Sequence, residues 1–236
     1  MFIPNIMTAG TAVTPYLTKQ ETICVDGVVF HVKSLLDRNQ FYDPEGAAER
    51  LGISSALWPI SGMLWPAGIV LARVVSRMAM NNLRVLEVGC GIGLASMVAA
   101  SKKADITASD YHPITQQFLR ENTALNDLDR IAYFHGNWHK PITRRGVFDL
   151  IIGSDLLYER GNLDILATFI NCHLSKSGKV ILIDPKRRHG GKFVKLMAAI
   201  QFDCRCEVMS LESGDESDRG FRCYTFTRKA MRGMAG

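Results

Sequence analysis

The stretch LEVGCGIGL, Leu86 to Leu94, gives the strongest indication of the fold. It begins within RVLEVG, a short apolar strand, and runs into GLASMVAASKK, which is typical of a helix. In between, Gly89, Gly91 and Gly93 follow the spacing G-x-G-x-G, which lets the backbone turn sharply and approach a ligand closely. Asp110 ends the next predicted strand, roughly 20 residues later, where an acid can bond both hydroxyls of a ribose. Strand, glycines and acid together predict a nucleoside-type cofactor, and a tight turn with a capping acid is the plainer alternative.

Downstream of this stretch, strands and helices alternate. DITASD, IAYFHGNW, VFDLIIGSD and KVILID predict strands, whereas PITQQFLRENTALN, LDILATFINCHLSKSG and GGKFVKLMAAIQ predict helices, the second of them ending at Gly178. DCRCEVMSLE and FRCYTFTRK alternate in polarity around the polar loop SGDESDRG, which predicts an antiparallel hairpin at a sheet edge. This order predicts an α/β fold with a mostly parallel sheet covered by helices.

The segment before these elements predicts a separate extension. In ETICVDGVVFHVKSL two β-rich runs flank Asp26 and Gly27, a strong signal for a two-residue hairpin. EGAAERLG predicts a short helix, and a further helix begins at about Pro66. We therefore expect an N-terminal arm and β-hairpin extension over residues 1–56 and the main domain over residues 57–236.

The composition is that of a globular protein with a mild basic excess. Of the 236 residues, 47% are hydrophobic and 22% are charged, and the formal net charge is +5. This excess is too small to indicate nucleic-acid binding by itself. The basic segment PKRRHGGK, Pro185 to Lys192, is interpreted as solvated surface, with contact to an acidic protein surface or to RNA as the alternative.

Cysteine and apolar patterns bear on location, metals and membranes. The six cysteines include no C-x-x-C pair, and no His/Cys cluster has zinc spacing, so we expect buried thiols in a reducing compartment and no metal site. The N-terminus does not resemble a secretory signal. Pro59 and Pro66 interrupt the most apolar segment, Leu57 to Val75, so no clean membrane span is expected. These features predict a soluble cytoplasmic protein.

The residues around the glycines indicate which cofactor is bound. A dinucleotide site uses G-x-G-x-x-G, and here the third glycine comes one place early. Glu87 precedes the first glycine, where a carboxylate would repel a pyrophosphate and suits a positively charged cofactor. Asn137 and Trp138 fall at the carboxyl end of a predicted strand, where open α/β sheets bind ligands, although a core tryptophan is the plainer alternative. A nicotinamide-dependent oxidoreductase is therefore a less favoured function.

The sequence E-V-G-C-G-I-G closely resembles the first motif of the class I S-adenosylmethionine-dependent methyltransferases. The resemblance covers about Leu57 to Lys229. It implies a Rossmann-like, doubly wound, seven-stranded sheet that is mostly parallel with an antiparallel last strand, built over residues 57–236. It also implies S-adenosyl-L-methionine as cofactor and S-adenosyl-L-homocysteine as product. In this family a polar residue at Asn137 contacts the adenine amino group, and an aromatic beside it flanks the ring.

The stretch GSDLLYER, Gly153 to Arg160, closes the fourth strand, where these enzymes place the motif that faces the methyl acceptor. It lacks the prolines of the N/D-P-P-Y/F motif, which disfavours adenine and amide acceptors. Its Asp-x-x-Tyr resembles methyltransferase family 16, the seven-β-strand protein lysine methyltransferases, as do the hairpin, LWPAG, SDYHP and GNW. The resemblance implies that Asp155 and Tyr158 face the acceptor. The cofactor-binding residues that we predict are Trp65, Glu87, Gly89, Gly91, Asp110, Tyr111, Asn137, Trp138 and Ser154.

This resemblance has departures and alternatives. The family often has an acid where Asn137 stands, and the segment after the fifth strand, DPKRRHGG, is unusually basic. Trp58, in LWPIS, is the alternative to Trp65 for the tryptophan at the cofactor pocket. Asp155 is alternatively the N-cap of a helix beginning LLYERG, with Tyr158 packed on the next helix.

The chemistry of the acceptor assigns positioning roles to the motif. A lysine amine is protonated at neutral pH, with a reference pKa of ~10.4, and must lose that proton before it attacks. A carboxylate such as Asp155 can hold the incoming ammonium, and Tyr158 can accept a hydrogen bond and present its ring to the cation. We therefore expect N-methylation of a lysine in a protein partner. A small-molecule or RNA acceptor, or a cofactor-binding scaffold without catalysis, are the alternatives, and neither a membrane nor a metal is expected.

Overall fold

The computed structural model describes residues 16–140, 147–210 and 220–230. The predicted N-terminal arm and the loop SGDESDRG therefore lie largely outside the described residues. The strands are β1 Thr18–Val25, β2 Val28–Leu35, β3 Arg84–Val88, β4 Asp105–Asp110, β5 Ala132–His135, β6 Phe148–Ser154, β7 Leu174–Asp184, β8 Phe202–Met209 and β9 Phe221–Arg228. The helices are α1 Pro66–Ser76, α2 Leu94–Ser101, α3 Thr115–Leu125, α4 Leu163–His173 and α5 Gly190–Ala199.

Seven of these strands form one sheet in the order β5-β4-β3-β6-β7-β9-β8. β9 is antiparallel to both of its neighbours, and the remaining pairings are parallel. The predicted Rossmann-like α/β class, with its antiparallel last strand, is confirmed. The strand order reverses between β3 and β6, so the carboxyl ends of these strands border the crevice in which open α/β sheets bind ligands.

Helices cover both faces of the sheet. Val85 and Leu86 follow one another in β3, point to opposite faces and are both fully buried. Val85 joins a core formed with α1, α2 and α3, and Leu86 joins a second core formed with α4 and α5. Burial on both sides explains why the central strands are continuous apolar runs instead of alternating ones.

The predicted hairpin is present as β1 and β2, paired antiparallel over their whole length. Asp26 and Gly27 form its turn with φ of 46° and 87°, the left-handed backbone that favours Asp-Gly. Asn122 of α3 and Asn126, which caps the C-terminus of that helix, hold the outer edge of β2: their amide oxygens accept the N–H groups of Lys33 and His31, respectively. The hairpin thus shares the core of the main domain, and the domain boundary at residue 56 stays a prediction.

The prediction of a helix over residues 163–177, with Gly178 just past its end, is wrong in the last turn. α4 ends at His173, and Leu174 takes an extended backbone (φ −87°, ψ 131°) and begins β7. Gly178, interpreted as a helix cap, lies inside the strand, where a Cβ would come within 2.8 Å of Leu174 Cδ1. Leu174 is buried and pairs with Phe148. The local sequence LSKSG is compatible with a continued helix. The burial of Leu174 against the sheet therefore outweighs local helix propensity.

Two other predicted elements are shorter than expected. EGAAERLG forms a 3-10 turn at Glu49–Leu51 instead of a helix. β5 ends at His135, so Asn137 and Trp138 lie in the loop after it. The difference at β5 concerns an element end, where backbone hydrogen bonds are lost first.

The structure contradicts the cysteine prediction in part and divides the apolar segment into two elements. All six cysteines are free, but only Cys90 and Cys223 are buried, so the prediction of buried thiols is wrong for the others. The segment Trp58–Ser76 is long and apolar enough to cross a membrane by length and composition, with a mean hydropathy of 1.3. In the fold it is divided into a 3-10 turn at Trp58–Gly62 and the 11-residue α1, whose buried side chains belong to the core.

Candidate active site

The glycine loop between β3 and α2 requires residues without a side chain. Gly89 and Gly91 have φ of 63° and 51°. A Cβ on Gly89 would lie 2.5 Å from Leu156 Cδ2, and one on Gly91 would lie 3.4 Å from the Ser61 carbonyl oxygen. The loop therefore lies closer to Leu156, after β6, than a side chain at position 89 allows, and at Gly91 the positive φ favours glycine.

Asp110, at the carboxyl end of β4, anchors this loop. Its carboxylate accepts the N–H of Gly91 and the N–H of His112, each at 2.9 Å. Asp110 is 8% exposed, and burial raises its pKa above the ordinary value. Each carboxylate oxygen still has acceptor capacity. The position thus suits the paired hydroxyls of a ribose.

Glu87 lies one strand away and is buried, with 3% exposure. Burial raises the pKa of its carboxyl to about 7, and the nearby Asp110 carboxylate adds to the shift. The Ser96 hydroxyl of α2 donates to Glu87 Oε2. A buried acid of this kind favours a nearby positive charge and disfavours a pyrophosphate.

The residues predicted to meet the base lie beyond β5. Asn137 is half-buried, and its amide oxygen accepts the N–H of His139 at 3.0 Å. Trp138 is also half-buried and packs partly on the α4–α5 core. The structure thus gives Trp138 a packing role along one side while part of its surface stays accessible.

Tyr111 follows Asp110 and holds the upstream segment in place. Its hydroxyl donates to the Leu51 carbonyl oxygen at 2.9 Å, and its ring tilts against His135 with centroids 5.2 Å apart. Ser154 ends β6 and lies beside the first turn of α1, since a Cβ on Gly68 would be 3.8 Å from its hydroxyl. Both residues border the crevice between β3 and its neighbours.

The two upstream tryptophans differ in their surroundings. Trp58 is 2% exposed and meets Tyr16 and His112 edge-on, as expected for a core residue. Trp65 is half-buried at the N-terminus of α1, and its indole N–H donates to the Ile60 carbonyl oxygen at 2.8 Å. The guanidinium of Arg38 lies 4.5 Å from the Trp65 ring centroid. Of the two, only Trp65 presents surface at this edge of the sheet.

The motif after β6 is fixed by its two buried leucines. Leu156 and Leu157 are 7% and 1% exposed, whereas Tyr158 is 51% exposed. Asp155 has φ of 54°, and its N–H donates to the Ile183 carbonyl oxygen at 2.8 Å. Helix α4 begins only at Leu163, and Asp155 caps no helix. The alternative interpretation of Asp155 as an N-cap is therefore wrong.

Asp184, the last residue of β7, and Arg187, in the turn that follows, complete this end of the site and were not found from the sequence. The Arg187 guanidinium donates to both carboxylate oxygens of Asp155, with Nη2 to Oδ2 at 2.7 Å. Asp184 is fully buried, and its Oδ2 accepts the Arg187 N–H at 2.8 Å. Burial raises the pKa of Asp184 to about 6, and no donor among the described residues reaches its Oδ1. The signal for both was DPKRR, which begins at Asp184, the last residue of the strand KVILID.

Within residues 16–140, 147–210 and 220–230, no three acidic, histidine or cysteine side chains lie close enough together to hold a metal ion. A metal-free site stays a prediction from the sequence. The polar groups that converge among the described residues are carboxylates, which accept hydrogen bonds, and backbone amides and the Arg187 guanidinium, which donate them.

The amino-acid sequence was compared with known proteins. The family model described as lysine methyltransferase matches residues 53–200. The chain is 32% identical over 137 residues to the protein N-lysine methyltransferase METTL21A of Xenopus tropicalis, covering 55% of this chain and 62% of that protein. It is 29% identical over 126 residues to a histidine protein methyltransferase 1 homolog of Dictyostelium discoideum, covering 50% and 41%. The chain thus spans less than two thirds of the length of these curated relatives.

A solved structure has the same fold. The T. thermophilus 16S rRNA N2 G1207 methyltransferase, in complex with AdoMet and guanosine, aligns with a TM-score of 0.60 at 15% identity, covering 92% of this chain and 52% of that chain. At this identity the likeness extends to the fold alone. The family match covers more than half of the chain and contains the glycine loop, Asp110 and the Asp155–Tyr158 motif. The chain belongs to the lysine methyltransferase family, methyltransferase family 16.

Proposed function

We propose that this protein transfers a methyl group from S-adenosyl-L-methionine to a lysine side chain of a protein. The observation that carries the proposal is the convergence, at one edge of the sheet, of the glycine loop, Asp110 and the Asp155–Tyr158 motif in a chain of this family. An enzyme of this class needs its cofactor and acceptor sites next to each other, and β3 and β6 are neighbouring strands.

The residues at the carboxyl ends of β3 and β4 fit the cofactor. Asp110 would accept hydrogen bonds from the ribose hydroxyls, and the loop at Gly89 and Gly91 leaves room for close backbone approach. Glu87 would favour the positively charged end of the molecule, since its carboxyl is buried and carries a raised pKa. Asn137 and Trp138 would contact the base. The bound cofactor supplies an electrophilic methyl group on a sulfonium.

The chain's own contribution is to position the acceptor and to exclude water. A methyl transfer of this kind requires the attacking nitrogen and the methyl carbon to be aligned, and alignment by the protein supplies much of the rate. Tyr158, the half-exposed last residue of the motif, would accept a hydrogen bond from the lysine nitrogen or contact the cation with its ring. Asp155 would hold the incoming ammonium, which must lose one proton to water before its nitrogen can attack the methyl carbon. In this structure Arg187 occupies the Asp155 carboxylate.

The test is a labelling experiment with the full chain. Cell lysate is incubated with the protein and tritiated S-adenosyl-L-methionine, and labelled products are separated into protein, RNA and small molecules. We expect a discrete labelled protein whose label maps to a lysine. Label confined to RNA or to small molecules would reject the proposal.

A companion measurement addresses the cofactor. Titration with S-adenosyl-L-homocysteine and with NAD distinguishes a methyltransferase from a nicotinamide-dependent oxidoreductase. We expect saturable binding of S-adenosyl-L-homocysteine and no binding of NAD. The cytoplasmic location is likewise proposed, supported by the six free thiols.

A further inference from the structure

The acceptor end of the site contains an ion pair that already satisfies its carboxylate. Arg187 binds Asp155 through two parallel N–H to oxygen contacts, the geometry in which guanidinium and carboxylate interact best. A lysine ammonium entering beside Asp155 would meet the positive charge of Arg187 as well as the carboxylate. The pair as it stands therefore opposes the acceptor expected from the proposed function.

The backbone of Arg187 is fixed, but its side chain faces solvent. Asp184 holds the Arg187 N–H at 2.8 Å, and Lys186 has φ of 56°, which sets the turn after β7. The Arg187 side chain is 40% exposed, compared with 15% for Asp155. The guanidinium can thus change partner by side-chain rotation alone, while the turn stays in place.

The surface around Arg187 carries further positive charge. Lys186, Arg188 and Lys192 are exposed on the same turn and on the start of α5, and Arg160 is exposed two residues beyond Tyr158. No ion pair joins these four cations to an acid within the described part of the chain. These four cations outnumber Glu159, the exposed acid between Tyr158 and Arg160. An acidic peptide would therefore find complementary charge here, and a basic peptide would be repelled.

We propose that the acceptor is a lysine within an acidic stretch, and that a carboxylate of this stretch takes the Arg187 guanidinium so that Asp155 is free for the lysine ammonium. The proposal rests on the proposed function and narrows its substrate class. In this exchange the Arg187–Asp155 ion pair breaks. Arg187 then pairs with a carboxylate of the acceptor, and Asp155 pairs with the lysine ammonium. Each charge has a partner before and after the exchange.

The experiment uses the full chain and a set of peptides with one central lysine. The neighbouring positions carry Asp or Glu in one series, Asn or Gln in the second and Arg in the third. Transfer from tritiated S-adenosyl-L-methionine is measured for each series. We expect transfer to the acid-flanked series to exceed transfer to the amide-flanked series by about tenfold, and the Arg-flanked series to be the poorest.

Two variants assign the preference to the turn. Arg187→Gln removes the charge and should bring acid-flanked and amide-flanked peptides to within about twofold of each other. Lys176→Gln is the matched control, because Lys176 is exposed at the opposite end of β7 and should keep the preference. Thermal unfolding and S-adenosyl-L-homocysteine binding verify that each variant is folded.

The outcomes separate the two proposals. Equal transfer to acid-flanked and amide-flanked peptides by the natural chain, or an undiminished preference in Arg187→Gln, overturns the acidic-acceptor proposal and leaves lysine methylation standing. If the natural chain labels only RNA or small molecules, the proposed function fails and this inference with it. The peptide comparison with the natural chain decides the question even if Arg187→Gln does not fold.

Discussion

The proposed cofactor end and the proposed acceptor end of the candidate site are built in different ways. At the cofactor end, Asp110 accepts two backbone N–H groups and Glu87 is buried under α2, so the shape depends on backbone geometry and burial. At the acceptor end, Asp155 is held by the side chain of Arg187, which is partly exposed. A site held by backbone contacts is rigid, whereas one held by an exposed side-chain pair can be rearranged by what binds to it.

The largest expected effect is at Asp110. Asp110→Asn replaces one acceptor oxygen by an NH₂ group, which opposes the N–H of Gly91 or of His112 and removes a partner for the ribose. We expect S-adenosyl-L-homocysteine to bind at least ~100-fold more weakly, about 3 kcal/mol, measured by calorimetric titration. Asp105→Asn, at the exposed start of the same strand, is the control and should bind normally. Equal affinities of the two variants would show that Asp110 does not hold the cofactor.

The buried Glu87 predicts a pH dependence of stability. Folding raises its pKa from 4.5 to about 7, so between these pH values the native state holds a proton that the unfolded state has released. The contribution of Glu87 to the free energy of unfolding therefore falls as the pH rises from about 4.5 to 7, by up to ~3 kcal/mol. Glu87→Gln should remove this loss. The free energy of unfolding of the variant should therefore rise relative to that of the natural chain from pH 5 to pH 8.

The measurement is urea unfolding of the natural chain and of Glu87→Gln at both pH values. Other groups titrate in the same window: His112, for example, has its pKa lowered to about 4 by burial and gives the opposite slope. The difference between the two proteins isolates Glu87, because His112 is common to both. Glu45→Gln, at an exposed position, should show no such difference between the two pH values. A pH-independent difference for Glu87→Gln would contradict the prediction.

A smaller effect is expected at the glycine loop. Gly89→Ala places a methyl group 2.5 Å from Leu156 Cδ2 and forces a left-handed φ on alanine. We expect a loss of ~2 kcal/mol in the free energy of unfolding, from backbone strain and displacement of Leu156. Gly161→Ala has open space and serves as the control, with little change in stability. If both substitutions change the free energy of unfolding equally, close packing against Leu156 does not explain why position 89 is a glycine.

The same difference between the two ends explains what could be predicted from sequence. Gly89 and Asp110 belong to a local strand–turn–helix pattern, and the fold follows from the order of such patterns. The Asp155–Arg187 pair joins residues 32 positions apart. The pair forms because β6 and β7 are neighbours and because the chain turns at Lys186. No local sequence pattern predicts either feature. In the same way, β7 begins at Leu174 because Leu174 is buried against the sheet, although its neighbours continue the helical pattern.

The smallest expected effect is at Tyr158, and it tests whether the two ends are independent. Tyr158→Phe keeps the ring and removes only the hydroxyl. If that hydroxyl accepts a hydrogen bond from the lysine nitrogen, transfer to a lysine peptide should fall several-fold, about 1 kcal/mol, while S-adenosyl-L-homocysteine binding stays unchanged. Tyr111→Phe is the matched control: it breaks the bond to the Leu51 carbonyl oxygen and should act on cofactor binding first. A parallel loss of binding and transfer in Tyr158→Phe would mean that Tyr158 belongs to the cofactor end, and the division of the site would have to be redrawn. If Tyr158→Phe keeps full transfer, the hydroxyl is not needed, and Tyr158 contributes only through contact of its ring with the ammonium.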